Sequence, residues 1–494
     1  MKGPTKLPKT AATALLVALG TALPYLAPGL ERYRLVSSAD LARAAGAFRG
    51  EPRAPLVRRN EAAAAALPPF SAPPPATAPF PGGIPARPAR HVPSPRVGIE
   101  DPSGELGRFF ARVALVEAGE PRALARITHF GDSPLTGDLI SGEAREMLQS
   151  ELGDGGTGFV LPARPWAWYG HDGIGIEAAG WTPRSPLFSP GNAGTRGLGL
   201  VSFTSARAGV RSEIRREGGS FTRAEVMFTA SPAGGTLLVS LDGGPEEGVP
   251  TAAPECRTER FVASRPEGAR RIALRPKGDG DVTVHGVVLE RDGPGVVYDS
   301  IGANGASVHA LNRLDERGWM ESLALRGSDL VILNYGTNES AMEGIGGPRY
   351  EREYATTISR VRKALPGASI LVMAPMDRGV RLADGTVGTL PAIRRLVAAQ
   401  RRVARKNGCA FYDTFTAMGG EGTMGRWYEN DPRLVTADFT HTTKPGSDRV
   451  ARLFVGALLS ARSAWEARDA ARPGPAGEVE PPVRQRPGGA RPPS

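Results

Sequence analysis

Cysteine is almost missing from this chain of 494 residues: Cys256 and Cys409 are the whole complement. That excludes a disulfide-stapled scaffold and a zinc centre built on thiolates. No spacing rule links the pair, and both read as small buried hydrophobes. Phosphate-binding loops and dinucleotide fingerprints are absent too. Asp279-Gly280-Asp281 lacks the further ligands of a calcium loop and reads as a hairpin turn, so neither a metal nor a cofactor is expected. Charge is scarce where a nucleic-acid surface would need it. Of the formal +10, residues 1–100 supply +8 (13 Lys/Arg against 5 Asp/Glu) and residues 471–494 supply +2 (4 against 2). The middle is close to neutral, which argues against nucleic acid as a partner, because tracking a phosphate backbone needs a folded basic face. Basic ends suit an anionic membrane or wall polymer better.

One long apolar run is present. Lys2, Lys6 and Lys9 precede an uncharged apolar segment from Ala11 to Leu30, the order of a positive n-region followed by a hydrophobic stretch. Residues 1–30 read either as a signal peptide cleaved near Gly20 to Ala22 or as an uncleaved membrane anchor of about 20 residues. On both readings the protein is exported, and its bulk lies in the periplasm or cell envelope, tethered to the inner membrane if the span is kept. Residues 31–97 read as a Pro/Ala/Arg-rich linker. Its densest part contains Pro73-Pro74-Pro75, a composition that favours extended conformations over a packed core. Residues 466–494 read as a disordered, basic, Pro-rich tail.

Between these ends the periodicity changes twice. In residues 98–153 helical spacing from Leu106 gives way to an apolar run at 125–130 that ends at Gly131, and then to an amphipathic helix over 135–152. In residues 154–290 helical spacing disappears. Short β-rich runs at 225–230, 236–241 and 281–289 alternate with Gly/Pro turns and predict an inserted β-sandwich. In residues 291–465 the alternation returns, with strands at 296–298, 329–334, 369–373 and 410–412. Helices are predicted after Gly305, near 354–365, over 392–406 and beyond Lys444. Strands alternating with helices predict an α/β fold with a mostly parallel sheet covered on both faces; the β-rich block interrupts it.

In open α/β sheets chemistry gathers outside the carboxyl ends of the strands. Four such ends are unusual here. Gly131-Asp132-Ser133 puts a serine hydroxyl on the turn that opens a helix, with backbone N–H groups free to donate. At Gly302, in Ile301-Gly302-Ala303-Asn304-Gly305, the missing side chain lets the backbone N–H approach a ligand. Gly336-Thr337-Asn338-Glu339 offers a side-chain amide at the same rim. Asp438-Phe439-Thr440-His441 sets a carboxylate and an imidazole three residues apart. Together they make one mechanism: Asp438 orients His441, and His441 takes the proton of Ser133 as it attacks an ester. The N–H groups of Ser133 and Gly302 and the amide of Asn338 stabilise the oxyanion.

The four blocks, in this order and at these strand ends, resemble the SGNH or GDSL hydrolase superfamily. Its name-giving Ser, Gly, Asn and His match Ser133, Gly302, Asn338 and His441, over about residues 105–460. The resemblance implies a three-layer α/β/α fold and a serine hydrolase acting on ester bonds. Pro134 stands where members often carry leucine. Proline suits the first helical position, so the departure bears on substrate preference more than on activity. A hydrolase domain split between its first and second blocks by a β-sandwich resembles the bacterial peptidoglycan O-acetylesterases, in which the insert is similar to a carbohydrate-binding module. The phrases Thr157-Gly158-Phe159-Val160-Leu161 and Gly286-Val287-Val288-Leu289-Glu290 are similar to that subgroup as well. This implies removal of O-acetyl or other short acyl groups from an acetylated cell-envelope glycan, peptidoglycan first among them. Two alternatives stay open: a polysaccharide O-acetyltransferase using the same triad, and a non-catalytic glycan-binding protein.

Substrate contacts are expected from the start of the insert. Trp166, Trp168 and Trp181 are half of the chain's six tryptophans; their flat faces suit sugar rings, or packing of the insert on the hydrolase core. His171, in Gly-His-Asp-Gly, is an exposed-loop candidate for substrate contact. His129, His285 and His309 read as structural.

Overall fold

The computed structural model describes residues 97–471, apart from Ala167, Ser189, Pro190, Asn192, Ala193, Glu343 and Gly344. The expectations of a signal peptide or anchor at 1–30, of the linker up to residue 96 and of the tail from residue 472 lie outside the described residues. All the described residues fall in one unit, Ala78–Ser494.

Five apolar strands build a central sheet: β1 (Leu124–Gly131), β2 (Gly295–Gly302), β3 (Leu330–Asn334), β4 (Ser369–Met373) and β5 (Ala410–Tyr412). Every neighbouring pair is parallel, in the spatial order β2-β1-β3-β4-β5. Parallel strands are buried on both faces and therefore carry near-continuous apolar runs. Their alternation divides the core. Ile127, Leu330, Ile332 and Leu371 face helices Gly107–Glu117, Leu139–Leu152 and Lys444–Ala470. Phe130, Val331, Leu333 and Val372 face helices Glu316–Arg326, Pro348–Ala364 and Ala392–Lys406. The result is the expected three-layer α/β/α arrangement.

Between the helix Leu139–Leu152 and β2 the chain forms two antiparallel sheets, of six and five strands. Phe221, Val226, Phe228, Leu237, Val239, Ile272 and Val284 make the apolar core they share. A buried ionic seam joins them to the central sheet. Arg326 lies between Glu290, the last residue of strand Val282–Glu290, at 2.8 Å, and Asp299 of β2, at 2.6 Å; Arg126 of β1 closes on Glu290 at 2.8 and 2.9 Å. Burial would raise the Glu290 carboxyl, but the two guanidiniums hold it down at about 2.

Several details differ from the sequence reading. The helix expected over 135–152 is two helices, Ser133–Thr136 and Leu139–Leu152. Asp138 breaks them at φ +57, in the left-handed region that a short polar side chain tolerates when it bonds locally. Its buried carboxylate accepts from the Ser141 hydroxyl and the Arg145 guanidinium, both at 2.6 Å, and from the Asp172 N–H at 2.9 Å. The last helix runs to Ala470, past the expected limit at 465, because Trp465 packs against Phe110. Cys409 is buried, and burial pushes its thiol up to about 12; Cys256, expected to be buried, is exposed, and both thiols are free.

Candidate active site

The register of the sheet assembles the site. Gly131 of β1 is level with Gly302 of β2 on one side and with Asn334 of β3 on the other. Three strand ends therefore open side by side where the strand order reverses, which is where doubly wound sheets bind ligands. Ser133 begins the short helix after β1, with Pro134 in its first turn. Asp132 is buried, and one of its carboxylate oxygens accepts the Thr337 N–H at 3.0 Å, tying the serine turn to the loop after β3. Gly302 packs under that turn so closely that a Cβ would lie 2.4 Å from the Leu135 carbonyl carbon and from the Thr136 nitrogen. Only glycine fits there.

The loop after β3 is clamped on several sides. Asn338 donates one amide N–H to the Ala306 carbonyl at 2.7 Å, and its amide carries a second N–H. The neighbouring Glu339 accepts the Val308 N–H at 2.9 Å, so both residues hold the segment that follows Gly302. Arg378 grips the same loop by donating to the Thr337 carbonyl at 3.0 Å and to the Ser340 hydroxyl at 2.8 Å.

Asp438 and His441 come from the loop before the last helix. His441 Nε2 is 2.8 Å from the Ser133 hydroxyl, and Nδ1 is 2.6 Å from an Asp438 carboxylate oxygen. The other oxygen of Asp438 accepts from the Thr436 hydroxyl and from the N–H groups of Thr440 and His441, at 2.7 to 3.0 Å. Between them Phe439 sits at φ +53, a strained conformation for a bulky residue. It is held by burial of its ring against Tyr428, 4.9 Å away, and by the Gly379 N–H bonded to its carbonyl. The Asp438 and His441 side chains are 51% and 42% exposed, so the arrangement opens to solvent.

Burial works differently on the carboxylates. It pushes Asp132 up to about 7, and it pushes Glu339 up to about 8 with the help of the nearby Asp132 charge. Partial burial also opposes ionisation of Asp438, but hydrogen bonds from His441 and Thr436 outweigh it and hold that carboxyl well below the usual range.

A model of the GDSL-like lipase/acylhydrolase family matches residues 277–449. The chain carries a GDSL-like acylhydrolase domain. The matched stretch holds Gly302, Asn338, Asp438 and His441 and begins 144 residues after Ser133. A solved structure described as a peptidoglycan O-acetylesterase in action is 24% identical; the match covers 74% of this chain and 99% of that one, with a TM-score of 0.64. This chain shares its fold over that span. A putative GDSL-like lipase from Parabacteroides merdae (18% identity, 33% and 72% covered) and a family two carbohydrate esterase from Clostridium thermocellum (14%, 59% and 99%) each reach a TM-score of only 0.26. The comparison with curated proteins gave no match.

The other expected site residues differ in burial and surroundings. His171 is buried, contrary to the exposed-loop expectation, because it lies 3.2 Å from Asp138 within the Asp138–Arg145 cluster. Trp166 and Trp181 are half-buried and pack against the core, whereas Trp168 is exposed. His129 pairs with the Tyr298 hydroxyl at 2.8 Å, and His285 with Ser202 and Thr229, each at 2.8 Å. His309 is half exposed, 3.7 Å from Glu353. Asp132 and Glu339 were not singled out from the sequence although both lie inside the quoted motifs; Arg378 had no local signal.

Proposed function

We propose that this chain is an exported serine esterase that removes O-acetyl groups from a cell-envelope polysaccharide, peptidoglycan first among them. The observation that carries the reading is the hydrogen-bonded series Ser133–His441–Asp438, at 2.8 and 2.6 Å, on a rim open to solvent. An ester on a bulky polymer can reach such a rim, whereas a serine at the foot of a narrow tunnel would admit only slender substrates.

In this mechanism Asp438 holds Nδ1 of His441, leaving Nε2 to take the Ser133 proton as Oγ attacks the acetyl carbonyl. On this reading the N–H groups of Ser133 and Gly302 and the second N–H of the Asn338 amide are the donors that stabilise the developing oxyanion. The imidazolium then gives its proton to the departing sugar hydroxyl, and the acetyl group stays on Oγ. Water, deprotonated by His441, attacks that acyl-enzyme and releases acetate. The resemblance to a peptidoglycan O-acetylesterase fold and the positively led apolar segment at 11–30 support the substrate and the export. Among the described residues no helix is long and apolar enough to cross a membrane.

The test is acetate release from O-acetylated peptidoglycan by the protein and by its Ser133→Ala variant. Release that disappears in the variant is expected. Ser133-dependent cleavage of an aryl acetate without release from the polymer would keep the chemistry and reject the substrate.

A further inference from the structure

Six large apolar side chains stand exposed among the described residues: Leu139, Trp168, Phe188, Val262, Met342 and Leu382. Exposed hydrophobics scattered singly need no explanation. Five of these six lie on segments that carry or brace the site or on the inserted segment. Leu139 begins the helix after the Ser133–Thr136 turn, and Met342 ends the turn that starts at Asn338. Leu382 belongs to the hairpin Gly379–Arg381/Val387–Thr389, whose Gly379 N–H donates to Phe439 between Asp438 and His441. Trp168 and Phe188 come from the inserted segment.

Trp168 is the best placed of them. Two residues on, the Gly170 N–H donates to the Thr136 carbonyl at 3.2 Å, and a Cβ on Gly137 would lie 3.9 Å from the Trp168 carbonyl. The loop is thereby fastened to the turn that begins with Ser133. Its support is well packed: Tyr169 is buried, its hydroxyl accepts the Leu161 N–H at 2.8 Å, and Trp166 packs edge-on between Tyr169 and Phe188. The indole itself is 77% exposed. A flat aromatic face in the open matches the C–H face of a pyranose, whose hydroxyls stay in water; an acyl chain would call for enclosure on several sides.

We propose that Trp168 is the platform on which the sugar ring of an acylated glycan lies while its ester reaches Ser133. The inserted segment then supplies part of the substrate site itself. This rests on the esterase reading and on a glycan substrate, and the experiment separates the three.

Full-length protein with Trp168→Ala, Trp168→Phe, Trp168→Leu or Val262→Ala is compared with the parent on O-acetylated peptidoglycan sacculi and on p-nitrophenyl acetate. In Trp168→Ala the ratio of kcat/KM on sacculi to kcat/KM on aryl acetate is expected to fall about tenfold, mainly through KM. Trp168→Phe restores most of that ratio, Trp168→Leu does not, and Val262→Ala, away from the rim, matches the parent. An equal loss on both substrates, or full recovery with leucine, overturns the platform. Cleavage of aryl acetate without release from sacculi rejects the substrate, and silence on both rejects the esterase. In those cases sedimentation of the Ser133→Ala protein with sacculi or acetylated xylan, with and without Trp168→Ala, still decides. Binding that does not depend on Trp168 overturns the platform there too.

Discussion

Asp438 stands half in water and still keeps its charge, because four hydrogen bonds favour the carboxylate over the neutral acid. Asp438→Asn leaves the loop in place but supplies the wrong hydrogen-bond partner to His441, and kcat/KM on aryl acetate should fall about 10⁴-fold with little change in Tm. Asp132 and Glu339 behave in the opposite way. Their folded values, about 7 and about 8, lie above the ordinary 3.8 and 4.5, so between these limits the native protein holds protons that the unfolded chain has lost. Stability is then greatest below about pH 4 for this pair and declines as pH rises through 7 to 8. Thermal melts should show Tm falling between about pH 5 and pH 8.5, and Glu339→Gln, which keeps an acceptor for the Val308 N–H, should flatten part of that fall. Both motifs containing these acids are visible in the sequence, but their burial is not, since it depends on what packs over them.

At the scale of elements, the strands were legible because a parallel strand buried on both faces must be apolar along its length. The hairpin Gly379–Arg381/Val387–Thr389 and the helices Thr414–Met418 and Thr423–Glu429 were not, since elements of three to seven residues are too short to establish a period. Yet the hairpin helps hold Phe439, and with it the turn from Asp438 to His441. The level ends of β1, β2 and β3 give another prediction. In Gly302→Ala the new methyl meets the backbone of Leu135 and Thr136 at 2.4 Å, so the turn that bears Ser133 must shift. Activity should drop at least tenfold, with a stability loss of about 1–3 kcal/mol in a denaturant titration.

Over the whole molecule, the seam of Arg126, Glu290, Arg326 and Asp299 makes the antiparallel sheets and the central sheet depend on each other. Replacing Glu290 by Gln leaves two guanidiniums short of their shared charge in a buried place, at a cost of about 3–5 kcal/mol. Calorimetry should show a lower Tm but still one cooperative transition; two separated transitions in the parent protein would contradict the coupling.

The sequence by itself determined the order of strands and helices, the interruption by a β-rich block, and the four blocks at strand ends, because periodicity and turn chemistry are local properties. Tertiary structure decided what depends on packing between distant segments. It brought Ser133 within 2.8 Å of His441 across 308 residues and levelled Gly302 with the serine turn. It also buried His171 while exposing Cys256, and left Trp168 open where Trp166 and Trp181 are half covered. Residue type alone cannot settle such differences: three tryptophans close together in one stretch have the same affinity for a core, and only the surfaces that close over them determine which one faces water.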